Sequence, residues 1–310
     1  MIAALRLARP RQWTKNLLVL AALVFAGRFT DSVAWQNAAL TLLAFILASA
    51  SVYAWNDAFD APQDRLHPKK SKRPVASGAL SPGTAYAWAM VWAVGGLALA
   101  YFVSPVVAAW IGFYLLLQIG YTLGLKHVNV LDVFIVAAGF VIRAAVGGFA
   151  INAPVSNWLL FCTGSLALML VTAKRRQEFR SSPDARTRPA LDGYSERALD
   201  ALVLFSAALS ALAYCIYAIE SETALRTPFL IATAPFVLFG IARYLVLVFG
   251  QDVGEEPEEV LLGDRTIQLA VVGFMVAAVF AMMSRDTSAD GKELARPAGV
   301  LSPSRVEGSE

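Results

Sequence analysis

Residues 37–64 read NAALTLLAFILASASVYAWNDAFDAPQD, an apolar run over 37–56 that ends abruptly in three aspartates, Asp57, Asp60 and Asp64. The apolar part matches the roughly 18 residues that a helix needs to cross about 30 Å of hydrocarbon. Similar runs flank it, centred on residues 17–29, 84–103, 105–125, 130–150, 157–173, 199–219, 228–249 and 266–284. The expectation is an all-α polytopic membrane protein of nine spans, the first short and amphipathic where it begins at Arg11 to Lys15. Composition agrees, since 57% of the 310 residues are hydrophobic and 16% charged, a balance that a soluble domain of this length would not keep in solution. The start, MIAALRLARPRQWTKN, spreads basic residues through its length and has no small-residue cleavage site behind a brief apolar core. A removable leader is therefore not expected. Cys162 and Cys215 lie inside spans without ligand spacing and read as packing residues.

With the N-terminus inside, one face collects Arg6, Arg9, Arg11 and Lys15, then Arg65, Lys69, Lys70, Lys72 and Arg73, then Lys126. Lys174, Arg175, Arg176, Arg180, Arg186, Arg188, Arg197 and Arg265 join them, whereas the other face has Arg28 and Arg226 before the C-terminal tail. The positive-inside rule then makes the N-terminus and the long loops at 57–83 and 174–198 cytoplasmic, in a bacterial inner membrane. Residues 1–285 are expected to form a single transmembrane domain. The polar tail, 286–310, would lie outside, with too little apolar area to fold. The acidic loop 252–259 reads as a solvated stretch.

The aspartates stand at i, i+3 and i+7, one face of a helix. Packed together at a membrane surface they repel one another unless a cation neutralises them. All-oxygen ligands suit magnesium, which binds through one or two carboxylates plus substrate phosphate oxygens. The alternative is a solvated acidic helix end. Pro62 disfavours helical dihedrals at Ala61, so Asp64 is expected past a kink. The run that follows, His67-Pro68-Lys69-Lys70-Ser71-Lys72-Arg73-Pro74-Val75-Ala76-Ser77-Gly78, serves topology by itself, and beside the carboxylates it can also hold phosphate oxygens.

These residues, Asn56, Asp57, Asp60 and Asp64 followed by His67, Pro68, Lys70, Arg73, Pro74 and Gly78, resemble the first signature of the UbiA-type membrane prenyltransferases. Further segments resemble the branch of that family making decaprenylphosphoryl-5-phosphoribose. They are Arg9-Pro10 with Gln12 to Asn16, Tyr121 to Lys126, Leu131-Asp132, Phe140 to Arg143, Lys174 to Glu178, Tyr194 and Arg243-Tyr244. The resemblance implies nine helices around a central cavity open to the cytoplasmic face, a magnesium-dependent transferase, and membrane lipid as surroundings. One departure matters: where most members carry a second aspartate-rich motif, this chain has Lys174-Arg175-Arg176-Gln177-Glu178. Extra cations suit 5-phosphoribosyl 1-diphosphate, which has a phosphate at its far end, better than a prenyl diphosphate.

The expected reaction moves the 5-phosphoribosyl group to a long-chain polyprenyl (decaprenyl) phosphate, a precursor step for cell-wall arabinan. Asp57, Asp60 and Asp64 would hold Mg2+ against the diphosphate, with Lys70 and Arg73 on its remaining oxygens. Lys126, Arg143 and Lys174 are candidates for the terminal phosphates and Lys15 for the acceptor head, while Asn56, Tyr121, Arg175, Glu178 and Tyr194 join the substrate site by resemblance. The acceptor is already anionic, so no strong general base is needed; His67 and His127 are the only histidines. Arg143 falls within a span on the same face as Asp132, eleven residues away, and an intramembrane arginine points to function or to a buried ion pair with that aspartate. Arg243 has the further option of snorkelling. Two rivals remain: a prenyl transfer to an aromatic acceptor at the same aspartates, and a secondary transporter, for which no inverted pair of broken segments is evident. A homo-oligomer is compatible with the sequence, and nucleic acid is not an expected partner.

Overall fold

The computed structural model describes residues 2–28, 30–66, 70–181, 193–227, 229–250, 260 and 263–284. The acidic loop 252–259, the tail 286–310, His67, Pro68, Lys69, Arg186 and Arg188 lie outside them. The described residues are helical, without a strand: α1 (Ile2–Leu7), a 3-10 segment (Pro10–Leu20), α2 (Ala21–Phe25), α3 (Ser32–Phe59), α4 (Ala61–Asp64), α5 (Pro82–Val103), α6 (Pro105–Leu123), α7 (Leu131–Ala150), α8 (Asn157–Ser181), α9 (Glu196–Glu220), α10 (Glu222–Arg226), α11 (Ala234–Gly250) and α12 (Arg265–Met283).

Eight of these helices are long and apolar enough to cross a bilayer, α11 being extended at its start by the turn from Leu230. The chain is a multi-pass membrane protein. The expected first span, 17–29, differs: it is divided between the 3-10 segment and the short α2. The close docking of Val19 on α7 accounts for this, because a Cβ on Gly147 would lie 2.1 Å from the Val19 carbonyl oxygen. Backbone approach of that kind requires glycine. Two other expectations shift. α3 starts at Ser32, where Asp31 caps the Val33 and Ala34 amides, and α8 runs on to Ser181. Lys174 to Glu178 therefore sit on its last turns instead of in a loop, in keeping with the helix preference of Lys, Arg, Gln and Glu.

Several helices carry their own start signals. Ser81 and Ser104 cap α5 and α6, each followed by proline at a position that needs no amide donor. In hydrocarbon, helices associate by close packing more than by apolar burial. Ala44 and Ala48 of α3 accordingly meet Gly96 of α5, where a Cβ would come within 2.9 Å of the Ala44 carbonyl. Neighbours follow chain order from α3 through α5, α6, α7, α8, α9 and α11 to α12. α12 then touches α2, which touches α7, so the succession closes on itself. Phe25 of α2 makes that closure, with ring centroids 6.1 Å from Tyr217 and 6.4 Å from Phe274.

Candidate active site at the aspartate end of α3

α3 ends at Phe59, and Asp60 is its cap, with φ −85° and ψ −1°. Pro62 then opens α4, so Asp64 stands past a break, as its proline predicts. Asp57 and Asp64 are buried, at 1% and 4% exposure, and each of the three aspartates faces its own cation. Arg73 Nη1 donates to Asp64 Oδ2 at 2.5 Å. Lys126 Nζ, from the loop between α6 and α7, donates to Asp60 Oδ1 at 2.6 Å. Arg9 Nη2 lies 3.6 Å from Asp57 Oδ1, while Asp57 Oδ2 accepts the Val75 amide at 3.1 Å. The turn supplying that amide ends at Gly78, whose φ of +81° is the left-handed conformation that favours glycine.

Among the described residues no group of three or more His, Cys, Asp or Glu converges ready to hold a metal. The donor set nevertheless fits a hard cation of the magnesium type, which needs one or two carboxylates when phosphate oxygens complete its shell. Asp57 Oδ1 is buried and accepts no hydrogen bond, leaving a lone pair free for such an ion. Arg9, at the head of the 3-10 segment, has φ 51°, uncommon for a residue with a side chain. Its guanidinium lies over the Tyr53 ring, 5.2 Å from the centroid. Burial, then Arg73 nearby, pulls the Arg9 pKa below its ordinary value, and Asp57 partly opposes this.

A second group adjoins through α6. Thr122 Oγ1 donates to Asn56 Oδ1. Its neighbour Tyr121 accepts from Arg175 Nη2 at 3.2 Å. Arg175, on α8, also donates from Nε to Asp132 Oδ2 at 2.6 Å and from Nη1 to Glu178 Oε2 at 2.8 Å. Asp132 is fully buried, and its Oδ1 accepts no hydrogen bond. The Tyr194 hydroxyl accepts the Val130 amide at 2.6 Å, just before Asp132, and burial raises its pKa. Val130 has φ 67°, a costly conformation for a β-branched residue.

Lys70 sits on a short turn leading to Arg73, whose amide donates to the Lys70 carbonyl. Lys174 lies on α8 beside Arg175. Lys15 Nζ donates to Gln12 Oε1 at 2.5 Å on the 3-10 segment. Arg143 is deeper, 5% exposed, and does not pair with Asp132. Arg243 reaches Asp264, the cap of α12, at 2.7 Å. Arg9, Tyr53, Thr122 and Asp132 were not among the expected substrate contacts. Tyr53 had a signal, since it precedes Asp57 by four residues and Asp60 by seven on one helical face.

A family model described as the UbiA prenyltransferase family matches residues 17–257. The chain belongs to this family. The match runs from within the 3-10 segment past α11 and takes in the three motif aspartates and the Arg175 cluster, whereas Arg9 and Lys15 precede it. Among curated proteins, the chain is 35% identical over 294 residues to the decaprenyl-phosphate phosphoribosyltransferase of Mycolicibacterium smegmatis, covering 89% of this chain and 92% of that one. It is 32% identical over 295 residues to the protein of the same name from Corynebacterium glutamicum, covering 91% and 86%. The UbiA homolog from Archaeoglobus fulgidus solved bound to GPP and Mg2+ has the same fold, with a TM-score of 0.72 and 21% identity over 91% of this chain and 99% of that one.

Proposed function

We propose that this UbiA-family enzyme transfers the 5-phosphoribosyl group of 5-phosphoribosyl 1-diphosphate to a long-chain polyprenyl phosphate, releasing diphosphate. The observation that carries the reading is the basic run Lys174-Arg175-Arg176 on the last turns of α8, where the buried Arg175 and Arg176 are held by Asp132 and Asp200 and Lys174 is partly exposed. Lys174 offers a partner for a second phosphate, and a prenyl diphosphate has none to give it. The similarity to decaprenyl-phosphate phosphoribosyltransferases over most of their length supports the same choice.

In this reading Asp57, Asp60 and Asp64 hold Mg2+, which when bound supplies charge neutralisation on the leaving diphosphate. Arg9, Lys70 and Arg73 take the remaining diphosphate oxygens. Fixed cations directed at developing charge commonly lower a barrier by several kcal/mol. Lys126 and Lys174 serve the terminal phosphates, with Asn56, Tyr121, Arg175, Glu178 and Tyr194 setting their orientation. Lys15 meets the acceptor head, whose chain lies among the spans. The acceptor phosphate attacks opposite the leaving group, so configuration at the anomeric carbon inverts; a retained product would defeat the one-step route. The basic face, and with it the site, is cytoplasmic.

The test incubates detergent-purified protein with magnesium, polyprenyl phosphate and labelled 5-phosphoribosyl 1-diphosphate, with chelator and Asp60→Ala controls. Metal-dependent label in the lipid phase is expected. Absence of label, in a preparation that moves prenyl groups to an aromatic acid, would transfer the function to the prenyl branch.

A further inference from the structure

A 3-10 helix is a weak support. Runs beyond three or four residues are uncommon, because their hydrogen bonds are poorly aligned and side chains three apart eclipse. The segment Pro10–Leu20 has eleven residues and so depends on tertiary contacts. Its buried residues, Asn16 and Val19, are three apart and therefore on one side. Both meet α7, at positions one turn apart. Arg143 Nε donates to Asn16 Oδ1 at 2.8 Å, and Val19 rests on Gly147. Asn16 Nδ2 in turn donates to Ser49 Oγ at 3.0 Å, on the helix that carries Asp57.

The rest of Arg143 is occupied. Nη1 donates to the Gly139 carbonyl at 2.7 Å and Nη2 to the Tyr114 hydroxyl at 3.1 Å. The rings of Phe45, Tyr114 and Phe140 lie 5.0 to 5.5 Å from its Cζ. Among the described residues no carboxylate pairs with it. A charge kept inside a span without a countercharge is costly, and an uncharged side chain would fill the same space at less cost. Three nitrogens engaged and aromatic cover leave little of this guanidinium for a substrate phosphate.

We propose that Arg143 is a positioning residue: through Asn16 it fixes the 3-10 segment so that Arg9 stands opposite Asp57. This rests on the reading of that end of α3 as a diphosphate site. From Asn16 to Arg9 the segment extends roughly 14 Å, at about 2 Å per residue. Arg9 has a backbone conformation that its side chain disfavours, so its position has to be imposed from both sides, by Leu7 packed with Ala54, Ala58 and Val75 and by the docked part of the segment.

The test measures binding of inorganic diphosphate with magnesium to the full chain in detergent by calorimetry, with thermal unfolding in parallel. Asn16→Ala and Arg143→Gln should each weaken binding about tenfold, the scale of one hydrogen bond to a charged group, and the double variant no further than either. Arg9→Gln should cost affinity in the parent protein and nothing more in Asn16→Ala. Losses that multiply in the double variant would make Arg143 a direct ligand and overturn the proposal. Lowered thermal stability with unchanged affinity would also overturn it, leaving a packing role. Should Arg143→Gln not fold, the Asn16→Ala and Arg9→Gln pair decides alone. The readout serves a phosphoribosyl or a prenyl donor equally. If the parent protein binds inorganic diphosphate but not 5-phosphoribosyl 1-diphosphate, the proposed function falls and this inference is still measured.

Discussion

Asp60 is the most accessible of the three motif carboxylates, and Lys126 from another loop holds it at 2.6 Å. Asp60→Ala should lower turnover at least about a hundredfold, roughly 3 kcal/mol of transition-state stabilisation, without moving the thermal unfolding midpoint. Near-normal turnover by a well-folded variant would rule out the metal role. Asp132 differs in kind, because it and Arg175 are both almost wholly buried. Breaking a buried pair by removing one partner commonly costs about 3–5 kcal/mol, so Asp132→Ala should lower the unfolding midpoint as well as activity. An unchanged midpoint would show that Glu178 alone satisfies Arg175. The acidic motif was legible because carboxylates stand out at the end of an apolar run. Its partners were not. Spacing says which face of α7 carries Asp132 and Arg143, but the neighbours that reach them, Arg175 and Asn16, arrive from other parts of the chain.

Elements add constraints that no single side chain carries. Gly147→Val should lower the unfolding midpoint, since overpacking of this kind costs about 1–3 kcal/mol and the Val19 carbonyl has no room to give. A midpoint equal to the parent's would mean that the 3-10 segment is not docked there. At the start of α12, the Asp264 side chain accepts the Ile267 amide and the Arg243 side chain. The Arg243 hydrogen bond holds the Asp264 pKa at about 2, below the ordinary value of about 3.9. A carboxyl depressed in this way stabilises the fold above about pH 4, and that contribution is lost as the pH falls through about 2. Unfolding followed by circular dichroism across that interval should show the loss in the parent and a flatter profile in Asp264→Asn. The long helices were readable from apolar length and from Ser-Pro starts. The 3-10 segment was not, because what fixes it is a glycine on another helix, far away in sequence.

For the whole molecule, charge bias and span order predict which side each end of the bundle faces. With Cys162 and Cys215 replaced by alanine, a cysteine at Ser156, between α7 and α8, should react with a membrane-impermeant thiol reagent in intact spheroplasts. One at Ser71 should react only after permeabilisation, and the reverse pattern would invert the topology. Eight of the nine expected spans coincide with long helices, since membrane length is a strong local signal. The way the helices close on one another is a long-range property, and no local pattern announced it.

The touch of Phe25 on Phe274 joins an early part of the chain to its last helix. Synthesis runs from one to the other, so the pocket for α2 lacks a wall until residue 274 has left the ribosome. α2 continues directly from the segment that carries Arg9 and Lys15. The segment that carries Arg9 can dock once α7 has been made, but α2 beyond it stays open on one side until the last helix arrives. The closing wall of an early element is thus the last helix made, and a chain stalled before Arg265 should remain inert with its three motif aspartates already present.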